Sequence, residues 1–213
     1  GYSSAILKKF LNASVVGLDR DKNIKDYVLK LKKNYPNRFS FYNIKFSQIK
    51  KIKKFEEIDY FIFDLGLSNF QLKNLERGFS FESKNLLDMT MGLNTFNAYD
   101  LLKNISEKDL KDILKYFGEE KFFSKIARSI INNRDKKNIA SGKELSDIVN
   151  KIKFRKKGIN PATKSFQAIR MIVNQELSEI YNSLKYIIEN CKEGAFIIIV
   201  SFHSLEDTLV KKI

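Results

Sequence analysis

The sequence predicts an α/β protein whose parallel, doubly wound sheet is interrupted by a long helical segment. Short apolar runs alternate with amphipathic helical stretches up to about residue 66, which is the order of βαβ units. From residue 97 to about residue 152, helical periodicity recurs without a convincing strand. The α/β pattern then resumes at Pro161, a residue type that favours the first turn of a helix.

The length and net charge of the chain limit the classes of protein to which it can belong. The 213 residues carry a formal net charge of +14, and 43% of them are hydrophobic. A chain of this size can form one large domain or a domain with an insertion. The positive charge favours an anionic partner, most often a nucleic acid. An AT-rich genome would also enrich Lys, Asn, Ile and Phe, so part of the charge has a second explanation.

Cysteine content and the chain ends bear on location. The single Cys191 excludes a disulfide framework and argues for a reducing compartment, so we predict a cytoplasmic protein. No stretch approaches the ~18–20 apolar residues that span a bilayer, and we expect no membrane partner. The chain starts at Gly1 without a methionine, and its first residues look like the interior of a motif. We therefore expect it to be a fragment.

The first elements surround an acidic residue at a strand end. Gly1–Phe10 is predicted to form a turn that leads into a helix, and Val15–Leu18 is the first complete strand, followed by Asp19. An acid at this place, about 20 residues after a glycine turn, holds ribose hydroxyls in dinucleotide-binding units. A carboxylate suits that task because it accepts two hydroxyl hydrogen bonds. Alternatively, Asp19 caps the helix predicted for residues 21–35.

A second acid follows the next buried strand. After Pro36 we predict a short strand at Arg38–Asn43, a Lys-rich amphipathic helix at Gln48–Phe55 and a buried strand at Tyr60–Phe63 that leads into Asp64. Open α/β sheets bind their ligands at the carboxyl ends of their strands, so Asp64 is a candidate site residue. The alternative is that Asp64 only caps the next helix.

The helical segment and the return to the sheet complete the prediction. The basic run Lys151–Lys157 would suit phosphates beside a cleft, although such runs are usually solvated faces. A final buried strand at Ala195–Val200 leads to His203, the only histidine, which is either structural or catalytic. Helices are predicted at Ala98–Leu102, Ser106–Tyr116, Glu119–Asn133, Gly142–Ile152 and, as one long helix, from Pro161 to Asn190.

Long sequence blocks resemble one enzyme family. Asp64–Phe81, Asn160–Leu177 and Val200–Asp207 are similar to motifs of the bacterial 16S ribosomal RNA cytosine-N4 methyltransferases, which methylate a cytosine in the decoding centre. Leu87–Met91 and Tyr116–Ile130 also match. The resemblance covers essentially the whole chain in collinear order.

The resemblance implies a fold, a domain division and a cofactor. The fold is the Rossmann-like class I methyltransferase fold with an inserted all-helical domain. Residues 1–80 and 159–213 would form the methyltransferase domain, and residues 81–158 the helical insertion. The cofactor would be S-adenosylmethionine, and we expect no metal. The family's methyl-donor contacts fall on Gly1, Tyr2, Asp19, Phe46, Asp64 and Gln71.

The implied reaction is in-line methyl transfer to the exocyclic amine of a cytosine, in 16S ribosomal RNA or the small ribosomal subunit. The amine is conjugated with its ring, so a nearby proton acceptor assists the reaction. The candidate acceptors are Asp64, the backbone carbonyls beside it and Ser68, and His203 is a second-tier candidate. The target base must leave its stack, and Phe70 or Phe79 could receive it.

The RNA backbone would be held by the basic helical insertion and the run Lys151–Lys157, together with other basic and amide side chains. A homodimer is a further expectation. The candidate RNA contacts are Arg77, Lys153, Arg155, Lys156, Lys157, Arg170 and Asn174.

Several positions depart from the family pattern. Tyr2 and Asn160 replace histidines, Thr90 replaces an arginine, and Asn69-Phe70 replaces Ser-Pro. We expect a divergent enzyme, with a non-catalytic RNA-binding or ribosome-assembly relative as the alternative. A third hypothesis, a nucleotide-dependent oxidoreductase, rests on the position of the acid after the first strand alone.

Overall fold

The computed structural model describes residues 1–153 and 158–213. Its α-helices within these ranges are α1 (Tyr2–Lys9), α2 (Lys25–Asn34), α3 (Asn69–Lys73), α4 (Ala98–Asn104), α5 (Glu107–Tyr116), α6 (Phe123–Arg134), α7 (Gly142–Asn150), α8 (Thr163–Asn174), α9 (Glu176–Asn190) and α10 (Ser204–Val210). The strands are β1 (Val15–Leu18), β2 (Phe39–Tyr42), β3 (Tyr60–Asp64) and β4 (Phe196–Val200). Short 3₁₀ turns lie at Lys22–Ile24, Phe46–Lys51, Phe55–Glu57 and Leu75–Arg77.

The four strands form parallel pairs, which confirms an α/β protein. Strand β1 pairs with β2, and β3 pairs with β4, with Asp64 opposite Val200. Within the described residues these are two separate two-stranded sheets, whereas the sequence predicted one continuous sheet. Both pairs nevertheless share a core, because Val16 of β1 packs against the same cluster as Phe63 of β3.

One face of β3 is buried and the other is open. Phe61 and Phe63 are buried in a cluster with Leu184 of α9, as the alternation of side chains along a strand requires. Burying each such side chain stabilises the fold by about 1.5–3 kcal/mol. On the opposite face Tyr60 is 60% exposed, and its ring stacks on Phe196 of β4 with centroids 5.4 Å apart. Ile198 of β4 is also 47% exposed, so the prediction that β3 and β4 are buried strands is wrong for this face.

A second core joins the helices between the strands. Helices α4 to α7 lie where the sequence predicts helices, with ends shifted by a few residues. Their buried side chains include Leu110, Leu114, Ile126 and Leu145, each completely inaccessible to solvent. Helix α8 contributes Ile169 to the same core. The predicted domain boundary after residue 158 thus places α8 on the sheet side, although α8 packs among these helices.

The predicted amphipathic helix at Gln48–Phe55 is wrong. The segment instead forms two 3₁₀ turns, and Lys54 between them has a left-handed backbone with φ of 57°. Ile49, Ile52 and Phe55 recur every three residues, and each is only 6% exposed. All three pack in the same cluster as Phe63, but Ile52 has an extended backbone and Lys54 a left-handed one, so their spacing of three does not correspond to one continuous helix.

The long helix predicted from Pro161 to Asn190 is two helices. Gln175 breaks it with a left-handed backbone, φ 53° and ψ 36°. At the break the completely buried Asn174 amide bonds the loop that precedes α4: its Oδ1 accepts the Met91 N–H at 2.8 Å and its Nδ2 donates to the Met89 carbonyl at 2.8 Å. These bonds are made to a segment distant in sequence, so helical periodicity alone does not reveal the break.

The length and apolar composition of the helices bear on whether any of them could cross a membrane. In residues 1–153 and 158–213, no helix has both the length and the apolar composition that a membrane crossing requires.

A close backbone contact at Gly92 gives a test of the fold. Gly92 has φ of 107°, and an added Cβ would lie 2.2 Å from the Arg20 carbonyl oxygen. We expect Gly92→Ala to lower the free energy of unfolding by more than about 1–3 kcal/mol, because steric overlap adds to backbone strain. Denaturant unfolding measures the loss.

Gly194→Ala is the matched control for that substitution. Gly194 also has a positive φ, 80°, but an added Cβ would meet nothing within 4 Å. Its loss should therefore contain backbone strain only. Equal losses for the two variants would contradict the close approach of Gly92 to the end of β1.

Candidate functional site

Asp19 lies directly after β1, at the carboxyl end of the strand. Its Oδ1 accepts the Asp21 N–H at 2.7 Å, and its own N–H donates to the Tyr42 carbonyl. Burial raises the pKa of the Asp19 carboxyl, and the bond from Asp21 opposes that shift. The alternative role as a helix cap belongs to Asp21 instead, whose side chain accepts the Asn23 N–H at 3.0 Å.

Asp21 connects Asp19 to the loop after β3. Its side chain is only 2% exposed, and its Oδ2 accepts a hydrogen bond from Gln71 Nε2 at 3.0 Å. The same oxygen forms a close ion pair with Arg77, which is 8% exposed. Arg77 also donates to the Thr90 carbonyl at 2.8 Å. The Asp21 carboxylate therefore joins the segment after β1 to Gln71 and Arg77, 50 and 56 residues later, and Arg77 extends the link to Thr90.

Ser68 and Gln71 form the capping box of α3. Ser68 Oγ accepts the Gln71 N–H at 3.3 Å, and Gln71 Oε1 accepts the Ser68 N–H at 3.0 Å. The alternative that Asp64 caps this helix is therefore wrong. The Ser68 hydroxyl also donates to Gln71 Oε1 at 3.1 Å. Its hydrogen and one lone pair are thus committed, which makes Ser68 a poor proton acceptor.

Gln71 is one of the predicted contacts to the methyl donor, and most of its hydrogen-bonding groups already have partners within the protein. Its side chain is 7% exposed. Its Oε1 accepts a hydrogen bond from Ser68, and its Nε2 donates one to Asp21. A side-chain amide carries two N–H donors. The second N–H of Gln71 is the group that remains for a ligand.

Asp64 and Phe46 lie on neighbouring elements close to the second strand pair. Asp64 is the last residue of β3, and its side chain is exposed. Phe46 begins the 3₁₀ turn after β2, and its half-buried ring packs edge-on against Phe63 with centroids 5.4 Å apart. Phe63 directly precedes Asp64, so this ring contact places Phe46 beside the carboxyl end of β3.

Gly1 and Tyr2 begin α1. Gly1 is the cap of this helix, and the side chain of Tyr2 is 50% exposed. Helix α1 is anchored by the completely buried Leu7, which packs with Phe39 of β2. The two predicted donor contacts are therefore fixed relative to the first strand pair through α1.

His203 caps α10, which weakens its case as a base. Its Nδ1 accepts the Glu206 N–H at 3.4 Å. This bond assigns the proton of the neutral ring to Nε2, so the ring has no remaining lone pair. Nε2 lies 3.1 Å from Glu206 Oε1, whose side chain is completely buried. A general base needs a lone pair aimed at the substrate, so His203 in this tautomer serves the local structure.

Glu176 completes an acidic cluster around His203. Ligand atoms of Glu176, His203 and Glu206 lie within 4.8 Å of one another, close enough to suggest a metal. Metal ligation would require a free lone pair on Nε2, which the capping tautomer removes. Glu176 is also held by Arg170 through two bonds of 2.8 Å. Glu176 is therefore committed to its ion pair with Arg170 rather than to a metal ion.

The predicted RNA contacts in the described residues face inward. Arg77 and Arg170 each pair with a buried carboxylate, as described above. Lys153 is 17% exposed and donates to Glu120 at 2.6 Å and to the Pro161 carbonyl at 2.7 Å. Asn174 is completely buried. Because all four side chains are largely buried and committed to internal partners, the structure argues against direct phosphate contacts from them.

The other RNA and base candidates differ in exposure. Phe79 is 5% exposed and belongs to the helical core, so it does not receive a base, whereas Phe70 is 43% exposed. The remaining basic candidates, Arg155, Lys156 and Lys157, lie outside the described residues.

Positions that depart from the family pattern have local roles. The Thr90 hydroxyl donates to Asp88 at 2.9 Å. Asn160 Oδ1 accepts the Ala162 N–H at 2.9 Å just before α8. Asn69 is the first residue of α3.

Sequence reasoning missed two residues of this region. They are Asp21 and Arg20. The Arg20 side chain donates to the Gly92 carbonyl at 2.6 Å, the Asn174 carbonyl at 2.8 Å and Asn94 Oδ1 at 3.1 Å. The signal was the pair of acids flanking an arginine immediately after β1. Charged side chains are buried almost only when they are paired, so adjacent opposite charges at a strand end indicate a loop that packs against other segments.

Comparisons with known proteins cover the whole chain. The profile of the MraW methylase family matches residues 1–213. The chain is 42% identical over 219 residues to the ribosomal RNA small subunit methyltransferase H of Ehrlichia canis (strain Jake), covering 100% of this chain and 73% of that relative. The enzyme of the same name from Sulfurihydrogenibium sp. (strain YO3AOP1) is 43% identical over 222 residues, covering 99% and 74%. That of Caldicellulosiruptor saccharolyticus is 40% identical over 218 residues, covering 100% and 71%.

The Asp21–Arg77 ion pair gives a test of the site's architecture. We expect Asp21→Asn and Arg77→Gln each to lower the free energy of unfolding by about 3–5 kcal/mol, because each leaves a buried charge without its partner. The double variant should lose less than the sum of the two. Urea unfolding of the wild type, the single variants and the double variant measures the coupling.

The exposed pair of Lys54 and Glu57 is the control for this cycle. Their side chains are 73% and 61% exposed, so solvent screens the interaction and its coupling should be much smaller. Strictly additive losses for Asp21 and Arg77 would contradict the buried pair.

Proposed function

The chain belongs to the MraW methylase family, and on that basis we propose that it methylates N4 of a cytosine in the decoding region of small-subunit ribosomal RNA, with S-adenosylmethionine as the methyl donor. The observation that carries the proposal is the placement of Asp19 and Asp64 at the carboxyl ends of β1 and β3. Ligands of open α/β sheets bind at such strand ends. Membership of a methylase family leaves the oxidoreductase hypothesis without support.

The proposal includes the architecture expected of such an enzyme. The two parallel strand pairs would belong to a Rossmann-like class I methyltransferase domain built from residues 1–80 and 159–213. Residues 81–158 would be the helical insertion, and the core formed by α4 to α7 supports that assignment. A cytoplasmic location and a homodimer remain predictions.

The residues near β1 fit the adenosine part of the donor. Asp19 uses one oxygen for the Asp21 N–H, and a carboxylate has further lone pairs to accept ribose hydroxyls. Phe46 is half-buried, so part of its ring can pack against an adenine. Gln71 has one amide N–H beyond its bond to Asp21. Together these groups provide a hydrogen-bond acceptor, an apolar surface and a hydrogen-bond donor.

Asp64 fits the reacting end of the donor and the substrate amine. When bound, S-adenosylmethionine supplies an electrophilic methyl group on a positively charged sulfonium. The negative charge of Asp64 favours that cation. Its exposed carboxylate can accept a hydrogen bond from the cytosine amine, which helps to localise the nitrogen lone pair, and can then take up the proton.

Asp64 is preferred over the other two side-chain acceptors for a structural reason. The Ser68 hydroxyl is occupied by the capping box, and the lone pair of His203 is used by the cap of α10. Phe70 is exposed on the helix after Asp64 and can stack with an extruded base. The remaining chemistry is the alignment of donor and acceptor within contact distance.

A non-catalytic RNA-binding relative is the second candidate. It is favoured by Thr90, whose hydroxyl is used internally by Asp88 where the family has an arginine. This candidate predicts RNA binding without donor binding.

Donor binding separates the two candidates. We expect calorimetric titration of S-adenosylmethionine to show micromolar binding, which Asp19→Ala reduces at least about tenfold, since a charge-assisted hydrogen bond contributes about 1.5–3 kcal/mol. Asp26→Ala on the exposed side of α2 is the control. A folded wild-type protein that does not bind the donor would favour the RNA-binding relative.

Methyl transfer tests the role of Asp64. We expect Asp64→Ala to reduce the rate of RNA methylation by about 100-fold or more, the range of general base catalysis. The fold should survive because the side chain is exposed. Asp59→Ala, an exposed acid just before the other end of β3, is the control. A normal rate for Asp64→Ala would show that another group accepts the proton.

A further inference from the structure

The exposed side of α6 forms a concave basic surface. A shallow groove of about 430 Å³, widely open to solvent, runs beside this helix and reaches Ile152, just after α7. Its polar lining includes Lys125, Arg128, Ser129, Asn132 and Lys136, which we call the α6 groove. None of the sequence-predicted RNA contacts is among these five residues.

Helical geometry explains why these side chains share one side. Ile126, Ala127 and Ile130 are completely buried and hold α6 against the helical core. On the opposite side, the polar positions recur one helical turn apart from Lys125 to Asn132, which forms a stripe. The step from Lys125 to Asn132 rises roughly 10 Å along the helix, and Lys136 extends the stripe just past the helix end.

The charges of the α6 groove are mostly available to a partner. Arg128 has Glu107 at 3.7 Å, but its side chain is 67% exposed and the contact is long. Glu107 is held more closely by Lys111, at 2.5 Å. An exposed pair of this kind contributes little. Lys125 and Lys136 are exposed as well, so all three cations of the groove reach solvent.

We propose that the α6 groove binds the phosphate backbone of the RNA substrate, at a site separate from the donor site. This inference rests on the proposed function, since it names the part of the surface that holds the substrate. Cations with interleaved hydroxyl and amide groups are the side chains that contact phosphates and sugars. A membrane-binding surface would instead present large apolar side chains around its cations. A lysine surplus from genome composition would be scattered, whereas these residues line one concavity.

The test uses the triple variant Lys125→Gln, Arg128→Gln and Lys136→Gln. RNA binding is measured by fluorescence anisotropy with a decoding-region fragment of small-subunit ribosomal RNA, over a series of salt concentrations. We expect at least about a tenfold loss of affinity at low salt. The slope of log affinity against log salt should fall by about 2, since each phosphate contact contributes roughly 0.7–0.9.

The charge-matched control is Lys25→Gln, Lys30→Gln and Lys33→Gln on α2, all exposed and outside the helical core. A loss confined to the groove variant supports the proposal. Equal losses for both variants, or no loss for the groove variant, would overturn it. The single variant Lys136→Gln should show about one third of the slope change, and it provides the same comparison if the triple variant is unstable.

Donor titration of the same proteins separates this inference from the proposed function. If the wild type binds S-adenosylmethionine and methylates RNA but the groove variant keeps full RNA affinity, only the groove assignment fails. If the wild type binds RNA through the groove but neither binds the donor nor methylates, the methyltransferase proposal fails and the groove assignment stands.

Discussion

The buried ion pair between Asp21 and Arg77 is the interaction on which the candidate site depends. Its carboxylate also holds the Gln71 amide, and the neighbouring backbone N–H holds Asp19. A buried charge is costly unless it is paired and fully hydrogen-bonded. The end of β1, the start of α3 and the loop at Thr90 are thus tied together by one desolvated group, and the site takes its shape from that constraint.

The same constraint explains why basic residues that the sequence offered as candidate RNA contacts are not surface contacts. Arg170 lies against Glu176, and Lys153 lies against Glu120, which is only 3% exposed. In both pairs the acid is buried, so the cation is required at that position to compensate it. A positive charge in the sequence therefore indicates an anionic ligand only when its side chain reaches solvent.

The two cores position different parts of the molecule. The cluster beneath β3 fixes the strand ends that carry the acids, while the helical core fixes α6 and its polar stripe. Helix α8 belongs to the helical core, and its last residue, Asn174, bonds the loop that Arg20 also contacts. Arg20 bonds the Asn174 carbonyl as well. These bonds join the helical region to the end of β1, which gives the acids and the basic stripe a fixed relation.

The sequence by itself determined the strands, the acids at their ends and the family. Asp19 and Asp64 were predictable because the carboxyl ends of parallel strands are where side chains meet a ligand. Only the tertiary structure decided that Gln175 breaks a long helix and that Ser68 rather than Asp64 caps α3. It also decided the partners of the buried charges, for example the pairing of Arg77 with an acid 56 residues earlier. Local periodicity carries information over one or two turns, whereas desolvation pairs groups across the whole chain.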